Sequence, residues 1–291
     1  MDKENVFGNQ LPELPFERTP IIGGIIKETA KRIDGYTATE GISKGIRKAL
    51  EERGAHISSH FESPETDKIL HEEKCPVILV TTHSSLAEPL AVLSSLSDGD
   101  KARNDISAVV ADGMPQYPNL DKYFLPLYNT APTKGFRPDT TLFKSLGGRA
   151  LFIEKENATD LNIRTLETAG ENMKAGNLIF ISPEGNQPKD SAWSPAGIGR
   201  LLANIGLNSG GVVIFADAQG ADMIEMAKLM NPFSSPKPFK DVKVRFSAPM
   251  SIDTIIGEGG NKKTTITANL NKQYGEWVKN KSPQPVTQPT S

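Results

Sequence analysis

Between residues 75 and 246 the chain repeats one pattern, in which a short apolar run is followed by a polar turn and often by a helical stretch. The runs are Val77–Thr81, Ile106–Ala111, Ala150–Glu154, Leu178–Ser182, Val212–Ala216 and Val242–Phe246. The helical stretches include Pro89–Leu96, Leu161–Lys174 and Gly199–Asn204. Short continuous apolar runs spaced by helices are typical of strands buried on both faces of a parallel sheet. We therefore predict an α/β fold with a mainly parallel mixed sheet flanked by helices.

The region before residue 75 predicts a small helical N-terminal part. Thr37 and Glu40 have the spacing of an N-terminal helix cap, and Gly54 is a candidate end of that helix. The residues between the cap and Gly54 have helical periodicity. The apolar stripe of this helix is Ile42, Ile46, Ala49 and Leu50. We divide the chain into an N-terminal arm and helical subdomain (residues 1–74), an α/β domain (75–280) and a disordered tail (281–291), which is poor in apolar residues.

Composition excludes several classes of protein. The 33 basic and 35 acidic residues give a net charge of −2, so we expect no nucleic-acid partner. Cys75 is the single cysteine; we expect a buried structural thiol in a reducing compartment. No apolar run approaches the roughly 20 residues that span a bilayer, and Met1–Asn5 does not resemble a signal peptide. These features predict a cytoplasmic protein, which can also rest peripherally on the inner face of a membrane.

His83 and Glu88 follow the first predicted strand and are candidates for a general base and its orienting carboxylate. On a continuous helix, residues five apart differ by roughly 140° in direction and would not face each other. Because the residue before a proline disfavours helical geometry, we expect the helix to begin at Pro89, with Glu88 in the turn. The pair would then bracket a tight turn. Alternatively, Ser85 and Glu88 form a capping box and His83 is structural.

Other polar residues follow the remaining predicted strands. In parallel sheets ligands bind outside the carboxyl ends of the strands, so these residues predict one polar crevice. They are Asp112 and Gly113, Glu154 and Lys155, Pro183 to Gly185, and Asp217. The chain contains no G-x-S-x-G elbow and no G-x-x-x-x-G-K-[ST] or G-x-G-x-x-G fingerprint. His56 and His60 have metal-pair spacing, but the surrounding Ser58 and Ser59 suggest a loop, and we predict no metal site.

The order of three motifs resembles the glycerol-phosphate acyltransferase superfamily, which includes the lysophosphatidic acid acyltransferases. Its blocks are H-x4-D, G-x-x-F-I-[DE]-R and F-P-E-G-T-R. The chain has His83-x4-Glu88, then Gly148–Lys155 (GRALFIEK), then Pro183-Glu184-Gly185. Glutamate replaces the usual aspartate, as in the related lipid A acyltransferases. Lys155 replaces an arginine, and lysine keeps the charge but lacks the bidentate fork.

This resemblance implies a glycerol-3-phosphate acyltransferase-like fold and transfer of a fatty acyl group. The donor would be an acyl-CoA or acyl carrier protein thioester, and the acceptor glycerol 3-phosphate or a lysophospholipid. It implies His83 as general base, Glu88 as its orienting group, and no covalent intermediate or further cofactor. The substrate-binding residues that it implies are Arg149, Lys155, Glu184 and Gly185, with Lys134 and Arg137 as less central candidates.

Two further segments are candidates for lipid contact. Phe124–Tyr128, Leu142 and Phe143 are candidate linings for an acyl chain, although such residues are commonly plain core. Residues 231–240 mix aromatic, proline and lysine residues, and we favour an ordinary loop over a lipid-contacting surface. Two alternatives to acyl transfer stay open: a catalytically silent protein that binds lipids or thioesters, and a hydrolase in which His83 and Glu88 activate water.

Overall fold

The computed structural model describes the greater part of the chain, with gaps between its segments. The described residues are 20–52, 54–71, 75–81, 87–99, 101–111, 117–127, 155–183, 193, 195–221, 241–260 and 262–280. Their strands are β1 (Ile57–Phe61), β2 (Val77–Thr81), β3 (Ser97–Asp98), β4 (Lys101–Ala102), β5 (Ile106–Ala111), β6 (Phe124–Leu127), β7 (Leu178–Ile181), β8 (Val212–Gln219), β9 (Val242–Phe246) and β10 (Met250–Ser251). Their α-helices are α1 (Pro20–Glu40), α2 (Ile42–Glu51), α3 (Pro64–His71), α4 (Ala87–Ser94), α5 (Lys155–Lys174), α6 (Arg200–Ile205), α7 (Ile252–Glu258) and α8 (Lys263–Lys279).

One large mixed sheet organises these elements. Its strand order is β1-β9-β8-β2-β7-β5-β6, with β10 paired to β8. The neighbours from β8 to β6 all pair in parallel, and β1 is parallel to β9. Only the β8–β9 and β8–β10 pairs of this sheet are antiparallel among the described residues. The predicted α/β fold, a mainly parallel sheet flanked by helices, is confirmed.

Most predicted elements agree with the structure. The bounds of β2, β5 and β9 are those predicted, whereas β7 ends one residue earlier and β8 continues to Gln219. Helix α5 begins at Lys155, six residues before the predicted start at Leu161. The predicted strand at residues 150–154 lies outside the described residues.

The sheet is buried on both faces because side chains of a strand alternate in direction. Val77 and Leu79 of β2 belong to the core beneath α2 and α4, and neither is exposed at all. Ile78 and Val80 point the other way, into a second core formed with residues of α5, α6, α7 and α8, and are equally inaccessible. This double burial explains the uninterrupted apolar sequence of β2.

The N-terminal region contains two helices that meet at Gly41. The predicted stripe of Ile42, Ile46, Ala49 and Leu50 is buried, as expected. The predicted cap is wrong, because Thr37 and Glu40 lie inside α1 and the Thr37 hydroxyl donates to the Ile33 carbonyl. The break comes instead from Gly41, whose φ of 82° is one that residues with a Cβ rarely adopt.

The loop expected around Ser58 and Ser59 is wrong, because both residues belong to the strand β1. It pairs in parallel with β9, placing His60 beside Arg245. Ser58, Ser59 and His60 are exposed because β1 is an edge strand of the described sheet. Although β1 precedes residue 75, it therefore belongs to the same sheet as the later strands.

A buried arginine closes the amino edge of the sheet. The Arg103 guanidinium donates to the carbonyls of Ile69, Cys75 and Gly176 and to the carboxylate of Asp105. It therefore ties together the segments that lead into β2, β5 and β7. Cys75 lies at this edge, as expected, but it is partly exposed rather than buried.

Asp34 joins α1 to the turn before β6. Its carboxylate accepts from the backbone N–H groups of Asn119 and Leu120, at 2.9 and 3.0 Å, and from the Asn119 side-chain amide. The pKa of Tyr117 is raised above its usual value. Burial is the largest cause, and the nearby carboxylates of Asp34 and Glu28 add to it.

Leu79→Ala should lower the free energy of unfolding by about 2–5 kcal/mol, since it empties space at the centre of the sheet. Leu207→Ala should change it by less than about 0.5 kcal/mol, because Leu207 is 52% exposed. Urea denaturation of both variants tests this, and equal losses would contradict the described core.

Asp34→Asn should lower the pKa of Tyr117, because it removes one of the negative charges that oppose ionisation of the phenol. In the unsubstituted protein, the free energy of unfolding should fall as the pH rises above the unfolded tyrosine value of about 10. NMR titration of ring-labelled tyrosine measures both pKa values. An unchanged Tyr117 midpoint in the variant would contradict the position of the Asp34 carboxylate near the Tyr117 phenol.

Candidate functional site

The carboxyl ends of five neighbouring parallel strands meet at one edge of the sheet. The last residues of these strands are Thr81 of β2, Ala111 of β5, Leu127 of β6, Ile181 of β7 and Gln219 of β8. We call this the carboxyl edge. In sheets of this kind ligands usually bind at this edge. The predicted site residues come directly after these strands or at the beginning of the helices next to the edge.

The described residues include only part of the predicted site. His83, Arg149, Glu184 and Gly185 lie outside them, as do Lys134, Arg137, Asp112, Gly113 and Glu154. Glu88 and the backbone of Lys155 lie inside. The contact expected between His83 and Glu88 therefore stays a prediction.

Glu88 lies in the first turn of α4, directly after the segment that follows β2, and is only 2% exposed. The helix begins at Ala87, so the predicted start at Pro89 is wrong. Pro89 is accommodated because first-turn N–H groups have no partner within a helix. Glu88 is therefore helical, as the alternative capping box requires, but its partner Ser85 lies outside the described residues.

The buried position of Glu88 follows from helical spacing. Ala91 and Val92, three and four residues later, and Leu96, eight residues later, lie in the core that joins α2, α4 and one face of the sheet. Glu88 therefore shares the buried stripe of α4. Carboxylates are rarely buried to this extent unless their charge is compensated, and the positive end of the helix dipole favours a negative charge in the first turn.

Thr81 adds a second buried polar group to the carboxyl edge. Its side chain has no solvent exposure, and its hydroxyl has no hydrogen-bond partner among the residues that the structure describes. In register it lies beside Ala216 of β8, whose side chain is buried in the core on the α4 side. Sequence analysis treated Thr81 only as the end of a strand. The available signal was that it is the last, and only polar, residue of β2.

Lys155 is the first residue of α5, and two hydrogen bonds define the direction of this helix. Thr165 donates to the carbonyl of Pro126 near the end of β6, whereas Asn172 donates to Ser107 near the start of β5. Helix α5 thus runs antiparallel to the strands and begins at the carboxyl edge. At about 1.5 Å per residue, Lys155 lies roughly 15 Å beyond Thr165 along the axis.

The other face of the sheet carries an aromatic and charged cluster near the same edge. Asp217 of β8 is 3% exposed and lies directly opposite Arg245 of β9. The Arg245 guanidinium lies 4.2 Å from the Trp277 ring centroid and donates to the Trp277 carbonyl at 2.8 Å. The Trp277 indole donates to Glu62 at 2.7 Å. Sequence analysis identified Asp217 but not Arg245 or Trp277, because β8 and β9 meet only in the fold.

A groove of about 490 Å³ runs along α8. It is lined by Trp193, Thr264, Thr267, Ala268, Asn271, Lys272, Gly275, Glu276 and Lys279. None of the residues predicted to line an acyl-chain trough belongs to it. Of those residues, Phe124–Leu127 form β6 and are partly buried, while Tyr128, Leu142 and Phe143 lie outside the described residues, as does the segment 231–240.

Two negative findings concern the described residues alone. No group of three or more histidine, cysteine or acidic side chains is arranged there to hold a metal ion. None of the helices described is both long and apolar enough to cross a membrane.

Comparison with family models and with curated proteins found no match to this chain. Comparison with solved structures found a likeness to the crystal structure of the 1-acyl-sn-glycerophosphate (LPA) acyltransferase, PlsC, from Thermotoga maritima. The two share 15% sequence identity over 87% of this chain and 88% of that chain, with a TM-score of 0.42. A likeness of this size is too weak to support an argument about function or about single residues.

Proposed function

We propose that this protein is an acyltransferase. In this proposal it moves a fatty acyl group from an acyl-CoA or acyl carrier protein thioester to a hydroxyl of glycerol 3-phosphate or a lysophospholipid. The observation that carries the proposal is the buried carboxylate of Glu88 in the first turn of α4, at the carboxyl edge of the sheet. This carboxylate is the acidic member of the His83-x4-Glu88 motif.

The proposed reaction needs no protein nucleophile, because a thioester is already activated. His83 takes the proton from the acceptor hydroxyl, whose oxygen forms a bond to the thioester carbonyl carbon. The carbon–sulfur bond then breaks, and the departing thiolate receives the proton from the imidazolium. Glu88 holds the imidazole in the required tautomer and stabilises its charged form. The low exposure of Glu88 supports this role, because charge interactions strengthen where water is excluded.

The start of α4 is also suited to stabilise the negative oxygen that develops on the thioester carbonyl. First-turn N–H groups have no partner within a helix and carry partial positive charge. Pro89 supplies no such group, so Ala87 and Glu88 are the first-turn donors that we assign to this role.

Acceptor recognition is proposed on the motif resemblance. Glu184 and Gly185 would bind the acceptor, and Arg149 and Lys155 would bind its phosphate. The start of α5 at the carboxyl edge supports including Lys155. Since the acyl donor and a lysophospholipid acceptor both carry acyl chains, we propose a cytoplasmic protein that works peripherally at the inner face of a membrane.

The direct test is a donor and acceptor screen with the purified full chain. Palmitoyl-CoA or palmitoyl carrier protein is mixed with glycerol 3-phosphate, lysophosphatidic acid or no acceptor, and free thiol and acylated products are measured by absorbance and mass spectrometry. We expect thiol release that depends on an acceptor and yields an equal amount of acylated product. Release without an acceptor would indicate a hydrolase, and donor binding without release a silent binding protein.

His83→Ala and Glu88→Gln should each lower kcat by about 10²-fold to 10⁴-fold, because the first removes the proposed base and the second its negative partner. Glu88→Gln preserves the shape of the buried side chain, so the variant should remain folded. Steady-state kinetics with thermal denaturation measures both effects.

Two matched substitutions control for the change of residue type. His60→Ala removes an exposed histidine from the edge strand β1, and Glu167→Gln alters an exposed glutamate of α5. Both should keep kcat within about twofold of the unsubstituted protein, since exposed positions away from the site tolerate substitution. Normal turnover by folded His83→Ala protein would refute the assignment.

A further inference from the structure

The groove along α8 has the size of a ligand site, and the proposed chemistry makes no use of it. Its volume of about 490 Å³ lies within the usual range of small-molecule pockets, about 300–1,000 Å³. The α8 residues that line it recur every three or four positions and so form one face of the helix. On this face Thr264, Ala268 and Gly275 have small side chains or none, which leaves the space open. A Cβ added at Gly275 would meet no atom of a neighbouring element within 4 Å.

One end of the groove lies level with the carboxyl edge. The hydroxyl of Tyr274, the residue before Gly275, donates to the Ala216 carbonyl at 3.2 Å. In register Ala216 lies beside Thr81, the last residue of β2. Thr264 lines the groove eleven residues before Gly275, which is roughly 16 Å along the helix axis. A ligand that fills the groove therefore extends from the carboxyl edge along about three turns of α8.

The lining suits a narrow chain with polar groups better than it suits a hydrocarbon chain. Trp193 supplies an apolar wall. Asn271 supplies an amide that can both donate and accept hydrogen bonds, and Lys272, Glu276 and Lys279 complete the lining. A fatty acyl chain would displace water from the Asn271 amide without replacing its hydrogen bonds. A chain that contains amides and hydroxyls would replace them.

The other end of the groove adjoins positive charge. Lys262 precedes α8 and Lys263 is its first residue, and both are exposed. The first turn of α8 contains no acidic residue. Thr264, which lines the groove, follows directly. An anionic group at this end of a ligand would be stabilised by charge-assisted hydrogen bonds from the two ammonium groups.

We propose, on the basis of the acyl transfer proposed above, that this groove binds the phosphopantetheine arm of the thioester donor. Acyl-CoA and acyl carrier protein both carry this arm, which joins a phosphate to the thioester sulfur through two amides and a hydroxyl. Its chain of about 13 bonds equals a little over four peptide residues, or about 15 Å when extended. The phosphate lies at Lys262 and Lys263, Asn271 pairs with an amide, and the thioester lies at the carboxyl edge.

Gly275→Leu fills the groove and tests this inference in the acyl-transfer assay. Leucine favours helical geometry more than glycine does, so the melting temperature should be unchanged or higher. The KM for the palmitoyl donor should rise by about tenfold or more while kcat stays within about twofold, because the change removes donor binding and leaves the chemistry intact.

Gly257→Leu in α7 is the matched control. A Cβ added at Gly257 also meets no neighbouring element within 4 Å, and Gly257 does not line the groove. This variant should keep both KM and kcat within about twofold of the unsubstituted protein, since it changes an exposed position away from the site.

Calorimetry with the full chain measures the same binding without turnover. Coenzyme A should bind about tenfold more weakly to Gly275→Leu than to Gly257→Leu, in keeping with the loss of contacts in the filled groove. The double variant Lys262→Ala, Lys263→Ala should weaken binding of 4′-phosphopantetheine by about fivefold to tenfold, and of pantetheine, which lacks the phosphate, by less than about twofold. Carrier protein with and without its arm distinguishes the two donors: binding that requires the arm and is weakened by Gly275→Leu identifies carrier protein, and binding of coenzyme A alone identifies acyl-CoA.

The outcomes separate this inference from the proposed function. Unchanged KM and affinity in Gly275→Leu, or equal changes in Gly257→Leu, overturn the groove assignment; the acyltransferase assignment stands if the unsubstituted protein still transfers the acyl group. Binding that is weakened only by Gly275→Leu, in a protein that transfers to no acceptor, supports the groove and overturns acyl transfer. Absence of both binding and transfer overturns both.

Discussion

The burial of β2 on both faces is the constraint on which the rest of the structure depends. Every residue of this strand is inaccessible to solvent, and its two neighbours in the sheet, β7 and β8, are parallel to it. Such a strand is stable only when helices cover both of its faces. Here α2 and α4 cover one face, and α5, α6, α7 and α8 cover the other. The end of β2 then places Thr81 at an edge whose two faces are covered by helices, and Glu88 follows in the first turn of α4.

The two edges of the sheet treat buried polar groups differently. At the amino edge, the Arg103 guanidinium donates hydrogen bonds to three carbonyls and to Asp105. These bonds join the segments that lead into β2, β5 and β7. At the carboxyl edge, Thr81, Glu88 and Asp217 are buried at 0%, 2% and 3% exposure in the layers next to the strand ends. Because buried polar groups cost free energy unless they are compensated, the carboxylates of Glu88 and Asp217 require compensating contacts, and both residues take part in such contacts.

Prediction succeeded where the signal was local and failed where it was not. The strands β2, β5 and β9 were predicted within their bounds, since each is a compact apolar run between turns. The strand β1 was missed because its exposed Ser58, Ser59 and His60 resemble a loop, and only pairing with β9 makes it a strand. The start of α4 was misplaced because the rule against helical geometry before proline is a preference, which the first turn overrides.

The sequence by itself determined the fold class, the succession of the main strands along the chain and the position of Glu88 just beyond the end of β2, because these follow from periodicity and from motif order along the chain. Only the tertiary structure decided that Glu88 is buried in the first turn of α4, that β9 runs antiparallel to β8, and that Asp217 lies opposite Arg245. These depend on which face of a strand packs beneath which helix. Packing between segments far apart in the chain selects that arrangement, and no local pattern encodes it.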